Sequence, residues 1–220
     1  AYSDEGALEE VFKANPNIAA FLVEPIQGEA GVFVPADGFL AKARALCDAH
    51  NVLMICDEIQ TGIARTGKLL ASCGNCICPN RDCSETPEVK PDVLILGKAI
   101  SGGAYPVSAV LANKPIMEVI TPGSHGSTFG GNPVAAKVAM AALDVVKEER
   151  LAENAFHLGN LFRVLMQEYI DKSNVVRRVR GKGLLNAIVI NDSEEIDTAW
   201  NICMRLRDHG LLAKPTHGNI

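Results

Sequence analysis

Short apolar runs alternate with longer amphipathic stretches along this chain, an alternation that predicts an α/β fold with a largely parallel sheet. "IAAFLVEP" (residues 18–25) reads as a buried strand closed by proline. "DGFLAKARALCDAHN" sets Phe39, Leu40, Ala43 and Leu46 at helical spacing, with Asp37 as the cap. "VLMICDE" (52–58) and "DVLILG" (92–97) are the next strands. "PVSAVLA" (106–112) follows too soon for a helical crossover of about a dozen residues, so it pairs antiparallel or lies at an edge. Helical spacing then runs from residue 132 to about 172. Two β-like runs follow, "VVRRVRG" and "LLNAIVI", then a helix through "EEIDTAWNICMRLRDHG" stopped by Gly210, and a further strand at "LLAKP". This last pattern predicts a second, smaller α+β domain, so residues 1–150 and 151–220 are read as two units.

The composition, 48% hydrophobic and 21% charged over 220 residues, is that of a soluble globular chain. With a net charge of −5, only "RRVRGK" (177–182) gathers cations; it reads as a solvated strand end, and no nucleic-acid partner is expected. No stretch approaches the ~20 apolar residues of a membrane helix, so no membrane partner is expected either. The start, "AYSDEGALEE", has no basic segment followed by an apolar one. It also lacks methionine, and the chain stops at "KPTHGNI", so a longer parent polypeptide is expected.

Seven cysteines, an odd number, argue against a fully paired secreted framework and for a reducing intracellular compartment. Cys47, Cys56 and Cys203 fall in helical or strand patterns and are read as small buried hydrophobes. Cys73, Cys76, Cys78 and Cys83 crowd into "CGNCICPNRDC". Tetrahedral zinc, a redox-sensitive disulfide and an exposed loop of reduced thiols all remain open, although paired C-x-x-C spacing is lacking.

The candidate chemistry lies at strand ends. Glu24 follows "AAFLV", Asp57 follows "VLMIC" and Lys98 follows "DVLILG". In open α/β sheets ligands bind beyond the carboxyl ends of the strands, so these three groups are placed to converge. Taken singly, an acid at a strand end is most often a turn former. Taken together they hold the parts of a pyridoxal-phosphate site: an amine for the aldehyde, a carboxylate for the pyridine nitrogen, and donors for the rest. Enclosure beside flexible glycine would suit Lys98 to that task, and Gln60 is placed to donate to the ring's phenolic oxygen. "GSTFGGNP" (126–133) supplies hydroxyls and amides just before a helix start, a suitable anion cradle. A nucleotide-binding rival, "GIARTGK" (62–68), matches G-x-x-x-x-G-K, but Leu69 stands where that motif needs a hydroxyl for magnesium.

"FLVEPIQGEAG", "CDEIQTGIARTG", "LGKAISGGAYPVSAV", "HGSTFGGNP", "VRGKGLLNAI" and "LRDHGLLAKPTHGNI" together resemble the class III, fold type I pyridoxal-phosphate aminotransferases over nearly the whole chain. The resemblance implies that Lys98 is the Schiff-base lysine, Asp57 the partner of the pyridinium nitrogen, Gln60 the donor to the ring hydroxyl and Ile59 a packing group on one ring face. Ser127 and Thr128 would reach the phosphate of a neighbouring subunit's cofactor, which implies a homodimer with shared active sites. Glu29 would pair with a substrate-carboxylate arginine and release it when 2-oxoglutarate arrives, with Glu24 nearby on the substrate side.

The implied reaction is a ping-pong transfer, and the wording is closest to members that take the δ-amine of ornithine and pass it to 2-oxoglutarate. Acetylornithine, 4-aminobutyrate and lysine are the sister donors. A non-enzymatic alternative is an inactive scaffold bearing a zinc or redox module. The family also implies the cytoplasm or the mitochondrial matrix. Residues 1–150 would be part of the large cofactor-binding domain, with residues 73–88 an insertion, and 151–220 the start of the small domain. Family members carry a preceding glycine-rich phosphate loop and a following arginine that this stretch lacks, so residues 1–220 alone are expected to be inactive and unstable as a monomer.

Overall fold

The computed structural model describes residues 2–73, 89–193 and 195–220. Helix α1 (Glu5–Ala14) opens with Asp4, whose side chain accepts from the Ala7 amide at 2.9 Å. Strand β1 (Ala20–Val23), helix α2 (Phe39–Ala49) and strand β2 (Leu53–Asp57) follow, then β3 (Val93–Leu96) and β4 (Ala109–Ala112). These strands form one sheet in the order β1-β2-β3-β4, the first three parallel and β4 antiparallel to β3. The short gap after Lys98 therefore does what its length dictates, turning the chain back along β3 at the sheet edge.

One face of the sheet is packed by α1 and α2. Met54 and Cys56 of β2 and Ala43 and Cys47 of α2 are all fully buried, and Phe12, Val23, Phe39, Leu40, Val52 and Val89 complete that cluster. Three expectations fail here for local reasons. The cap of α2 is Gly38 at φ +82°, with no side-chain bond, so Asp37 does not cap it. Strand β1 occupies the other sheet edge, and Leu22 on its second face is 60% exposed, so the strand is buried on one side only. Cys203 is half-buried, unlike the enclosed Cys47 and Cys56.

Beyond β4 come a short helix α3 (Lys114–Met117), then α4 (Pro133–Glu148) and α5 (Leu151–Ile170). Asn132 caps α4 by accepting from the Ala135 amide at 2.8 Å, and Pro133 takes the first turn, where no amide is needed. Ala139 and Val146 of α4 pack with Leu96, Ile100 and Ile63 beside the end of β3. A break at Arg150, in the left-handed region at φ +53°, separates α4 from α5.

The hairpin of β5 (Val176–Lys182) and β6 (Leu185–Ile190) and helix α6 (Thr198–Asp208) complete the order. Gly210, at φ +86°, lets the Leu211 amide reach back to Leu206 O at 2.9 Å and stops α6 as expected. The "LLAKP" stretch forms no strand; Leu212 is 85% exposed there. The hairpin turn is packed through glycines against α5 and the segment that follows β2. A β-carbon on Gly183 would fall 2.4 Å from the Thr66 carbonyl carbon, and one on Gly159 would fall 1.9 Å from Gly183 O. Leu184 N also donates to Arg65 O at 2.9 Å.

Candidate active site

The carboxyl ends of β1, β2 and β3 lie side by side because the strands are parallel and in register: Val23 faces Cys56, and Asp57 faces Ile95. Glu24, Asp57 and Lys98 therefore leave the sheet at one edge. The Glu58 amide adds a bond to Ile95 O at 2.9 Å that carries the pairing one residue further.

Lys98 sits two residues past β3, after Gly97, in the left-handed region at φ +44°. It begins a 3-10 turn, Lys98–Ser101, which ends at Gly102 with φ +59°. A left-handed non-glycine residue is strained, and strain of this kind gathers at functional sites. The side chain is exposed rather than enclosed, because Lys98 stands beyond the last paired residue of the sheet. Beside it, Gly97 has no room to spare: a β-carbon there would lie 3.3 Å from Ile59 Cγ2. Ile59 thus packs directly against the backbone that carries the lysine.

Asp57 is half-buried, and its Oδ1 accepts from the Ile59 amide at 3.0 Å, closing a tight turn at the end of β2. Gln60 follows in that turn and packs on Gly28, which in turn donates its amide to Glu24 Oε2 at 3.0 Å. The structure thus brings Glu24, Gln60, Ile59 and Lys98 to one edge through Gly28 and Gly97. Glu29 is exposed on the neighbouring loop, and its carboxylate accepts from Lys214 Nζ at 2.6 Å while Thr216 Oγ1 donates to Glu29 O at 3.1 Å. That hydrogen bond and the Lys214 charge hold the Glu29 carboxyl below the usual range, with His217 and Lys98 adding to the effect.

Ser127 and Thr128 stand apart. Both are exposed in the loop before α4, and among the described residues no hydrogen bond joins them to Lys98, Asp57 or Gln60. The four-cysteine cluster falls outside the described residues, apart from the backbone of Cys73. Among the described residues no group of His, Cys, Asp and Glu has the arrangement of a metal site, and no helix is long and apolar enough to cross a membrane. The geometry argues against the nucleotide-loop rival: Ile63 and Ala64 of "GIARTGK" are buried at positive φ, Gly67 is packed by Phe156, and among the described residues no α-helix starts at Lys68, whose next element is the 3-10 turn Ala71–Cys73.

Two residues escaped the sequence reading. Glu58 is 1% exposed, and its carboxylate accepts from Thr61 Oγ1 (2.6 Å), Ala71 N (3.0 Å) and Ser72 N (2.6 Å). It fixes both ends of the segment carrying Ile59 and Gln60; a second acid after Asp57 with a threonine three residues on was the available signal. Lys214 lay in a run read as a strand, and nothing local pointed to a partner 185 residues away.

The model of the family described as aminotransferase class-III matches residues 3–220. The chain is 58% identical over 219 residues to the mitochondrial ornithine aminotransferase of Drosophila melanogaster, covering all of this chain and 47% of that one. It is 57% identical over 221 residues to the ornithine aminotransferase of Emericella nidulans, again covering all of this chain and 46% of the relative. Among solved structures, it is similar to an acetylornithine aminotransferase from Elizabethkingia anophelis, with TM-score 0.89, 62% identity and coverage of 99% of this chain and 52% of the other. It is also similar to the ornithine aminotransferase of Toxoplasma gondii, with TM-score 0.88, 50% identity and coverage of 99% and 48%. The chain spans about half the length of the curated relatives it matches.

Proposed function

The chain belongs to the class III aminotransferases, and from that premise we propose that it is the lysine-bearing part of an enzyme that transfers the δ-amino group of ornithine to 2-oxoglutarate, giving glutamate semialdehyde and glutamate. The observation that carries the reading is Lys98, held at φ +44° two residues past β3, with Asp57 ending the adjacent parallel strand. One amine, one carboxylate and one carboxamide at the same sheet edge fit pyridoxal phosphate, the cofactor of this family.

When bound, the cofactor supplies an aldehyde that captures the donor amine and a ring that draws off electrons. Lys98 would hold the cofactor's aldehyde with the amine it carries on a glycine-flanked turn, and the same amine would serve to move a proton at the substrate's terminal carbon. Asp57 would hold the ring nitrogen through its carboxylate and favour a proton there. Gln60 offers its carboxamide to the ring hydroxyl, and Ile59 covers one ring face. Glu58 keeps that turn from drifting. Ser127 and Thr128, exposed before the capped start of α4, offer hydroxyls to the phosphate of a second subunit, in a homodimer with shared sites. Glu29 neutralises a cation of the pocket while the amine donor is bound and yields it to the second carboxylate of 2-oxoglutarate; Glu24 supports the loop from below through Gly28. The residue 150 break separates the cofactor-binding part from the start of a smaller domain. We place the protein inside the cell, in the mitochondrial matrix or the cytoplasm; several relatives are named as mitochondrial. The pathway role that goes with this activity is proline formation and arginine breakdown.

Acetylornithine is the alternative donor, favoured by the Elizabethkingia anophelis neighbour. Steady-state assays of the full polypeptide carrying these residues, with ornithine, acetylornithine and 4-aminobutyrate as donors, decide between them. The reading requires kcat/KM for ornithine to exceed the others by at least about ten-fold. A preference for acetylornithine replaces the donor and leaves the lysine chemistry standing.

A further inference from the structure

The cluster "RRVRGK" reads in sequence as a solvated strand end, yet Arg180 within it is held by a hydrogen bond to Gly31 and a cation–π contact with Phe33. Arg180 Nε donates to Gly31 O at 2.6 Å. Its guanidinium carbon lies 3.8 Å from the centroid of the Phe33 ring, a stacked cation–π arrangement. Its Nη2 is buried without a hydrogen-bond partner and would be only 2.7 Å from a β-carbon on Gly31. Ile220 closes the same space from the other side, at 2.6 Å from that position.

The loop held in this way is short and self-bonded. Gln27 and Phe33 exchange both backbone bonds, at 3.0 and 2.9 Å, and the Gly31 and Val32 amides both donate to Gly28 O at 3.0 Å. Gly31 adopts φ +113° freely but Val32 is strained at φ +56°, so the loop's own bonds are reinforced by the contacts that Arg180 adds. Glu29 lies at its tip, and Gly28 at its base touches Gln60. A loop closed by its own bonds moves as one piece, and whatever pins Gly31 and Phe33 therefore sets where Glu29 stands. Only arginine serves here, because its planar group stacks on a ring and donates in its own plane at the same time.

We propose that Arg180 is a positioning residue for Glu29: by bridging β5 to the 27–33 loop it fixes where the carboxylate of the incoming acceptor is read. This rests on the reading of Glu29 given above. Arg180 acts through geometry, because the charges that set the Glu29 carboxyl are those of Lys214, His217 and Lys98.

The test uses the full polypeptide loaded with pyridoxal phosphate, as R180M, R180K and F33L variants. Amide exchange of residues 28–33 is followed by mass spectrometry beside half-reaction kinetics with ornithine and with 2-oxoglutarate. In R180M, loop exchange accelerates at least about ten-fold while β2 exchange is unchanged, and kcat/KM for 2-oxoglutarate falls about ten-fold more than that for ornithine. R180K, with one donor and no planar stack, recovers part of both effects, and F33L, which keeps the arginine, shifts both in the same direction as R180M. Loop exchange in R180M equal to the parent, or an equal fall in both half-reactions together with a collapsed melting temperature, overturns the proposal. Should R180M fail to fold, F33L and R180K carry the same two readouts. The Glu29 reading fails separately: E29Q with an unaltered KM for 2-oxoglutarate removes it, whatever the loop exchange shows.

Discussion

The carboxamide of Gln60 packs on the bare α-carbon of Gly28, where a β-carbon would lie 2.8 Å from both Cδ and Oε1. The contact ties the loop bearing Glu29 to the turn bearing Asp57, and it leaves the carboxamide one place to stand. In G28A the flexible end of Gln60 must yield, because it is softer than the backbone on either side. The cofactor's dissociation constant, measured by fluorescence titration of the full polypeptide, should rise roughly ten-fold, equivalent to one misplaced hydrogen bond. Unchanged affinity would remove Gln60 from the cofactor's contacts.

Gly159 on α5 presses on the backbone of Gly183, with 1.9 Å between a hypothetical β-carbon and the carbonyl oxygen. Backbone cannot swing aside as a side chain does. G159A should therefore cost about 3 kcal/mol or more, the upper end of overpacking, in urea unfolding of the full polypeptide. A cost below about 1 kcal/mol would mean that α5 and the hairpin separate freely.

The Lys214–Glu29 pair is exposed, so it adds little to stability, but it sets the charge of Glu29. Removing the ammonium in K214M lets the carboxyl rise toward its ordinary range. The acid limb of the pH profile of kcat/KM for 2-oxoglutarate should then move to higher pH. A limb that stays in place would show that Glu29 does not titrate in the acceptor step.

Burial pushes the Cys47 thiol up to about 11 and the Cys56 thiol up to about 12. Both should resist iodoacetamide in the native protein at pH 8, since about one thiol in a thousand or fewer is ionised there. Because the folded thiols keep protons that unfolded ones lose near pH 9, their contribution to stability falls as pH rises through about 11 to 12. Rapid alkylation of either residue before unfolding would contradict their enclosure.

Local pattern carried the main sheet and the lysine. The apolar run of β3, its stop at Gly97 and the short return to β4 are features of a dozen neighbouring residues, and the structure keeps them. Contacts that bridge distant segments left no local trace. Arg180 meets Gly31 across 149 residues and Lys214 meets Glu29 across 185, so one read as solvated and the other as part of a strand. The "LLAKP" run has strand-like composition but pairs with no described strand, and composition alone does not provide a partner. Asp37 lost the cap of α2 because Gly38 takes the left-handed entry that the helix requires.

The central claim is that Lys98 is the residue that bonds the cofactor. Borohydride reduction of the full polypeptide loaded with pyridoxal phosphate, followed by peptide mass mapping, tests it most directly. The account predicts that the cofactor is fixed on Lys98, and that K98A melts like the parent while losing both the label and the cofactor's visible absorbance. Label on Lys68, Lys182 or any other lysine in place of Lys98 would contradict it.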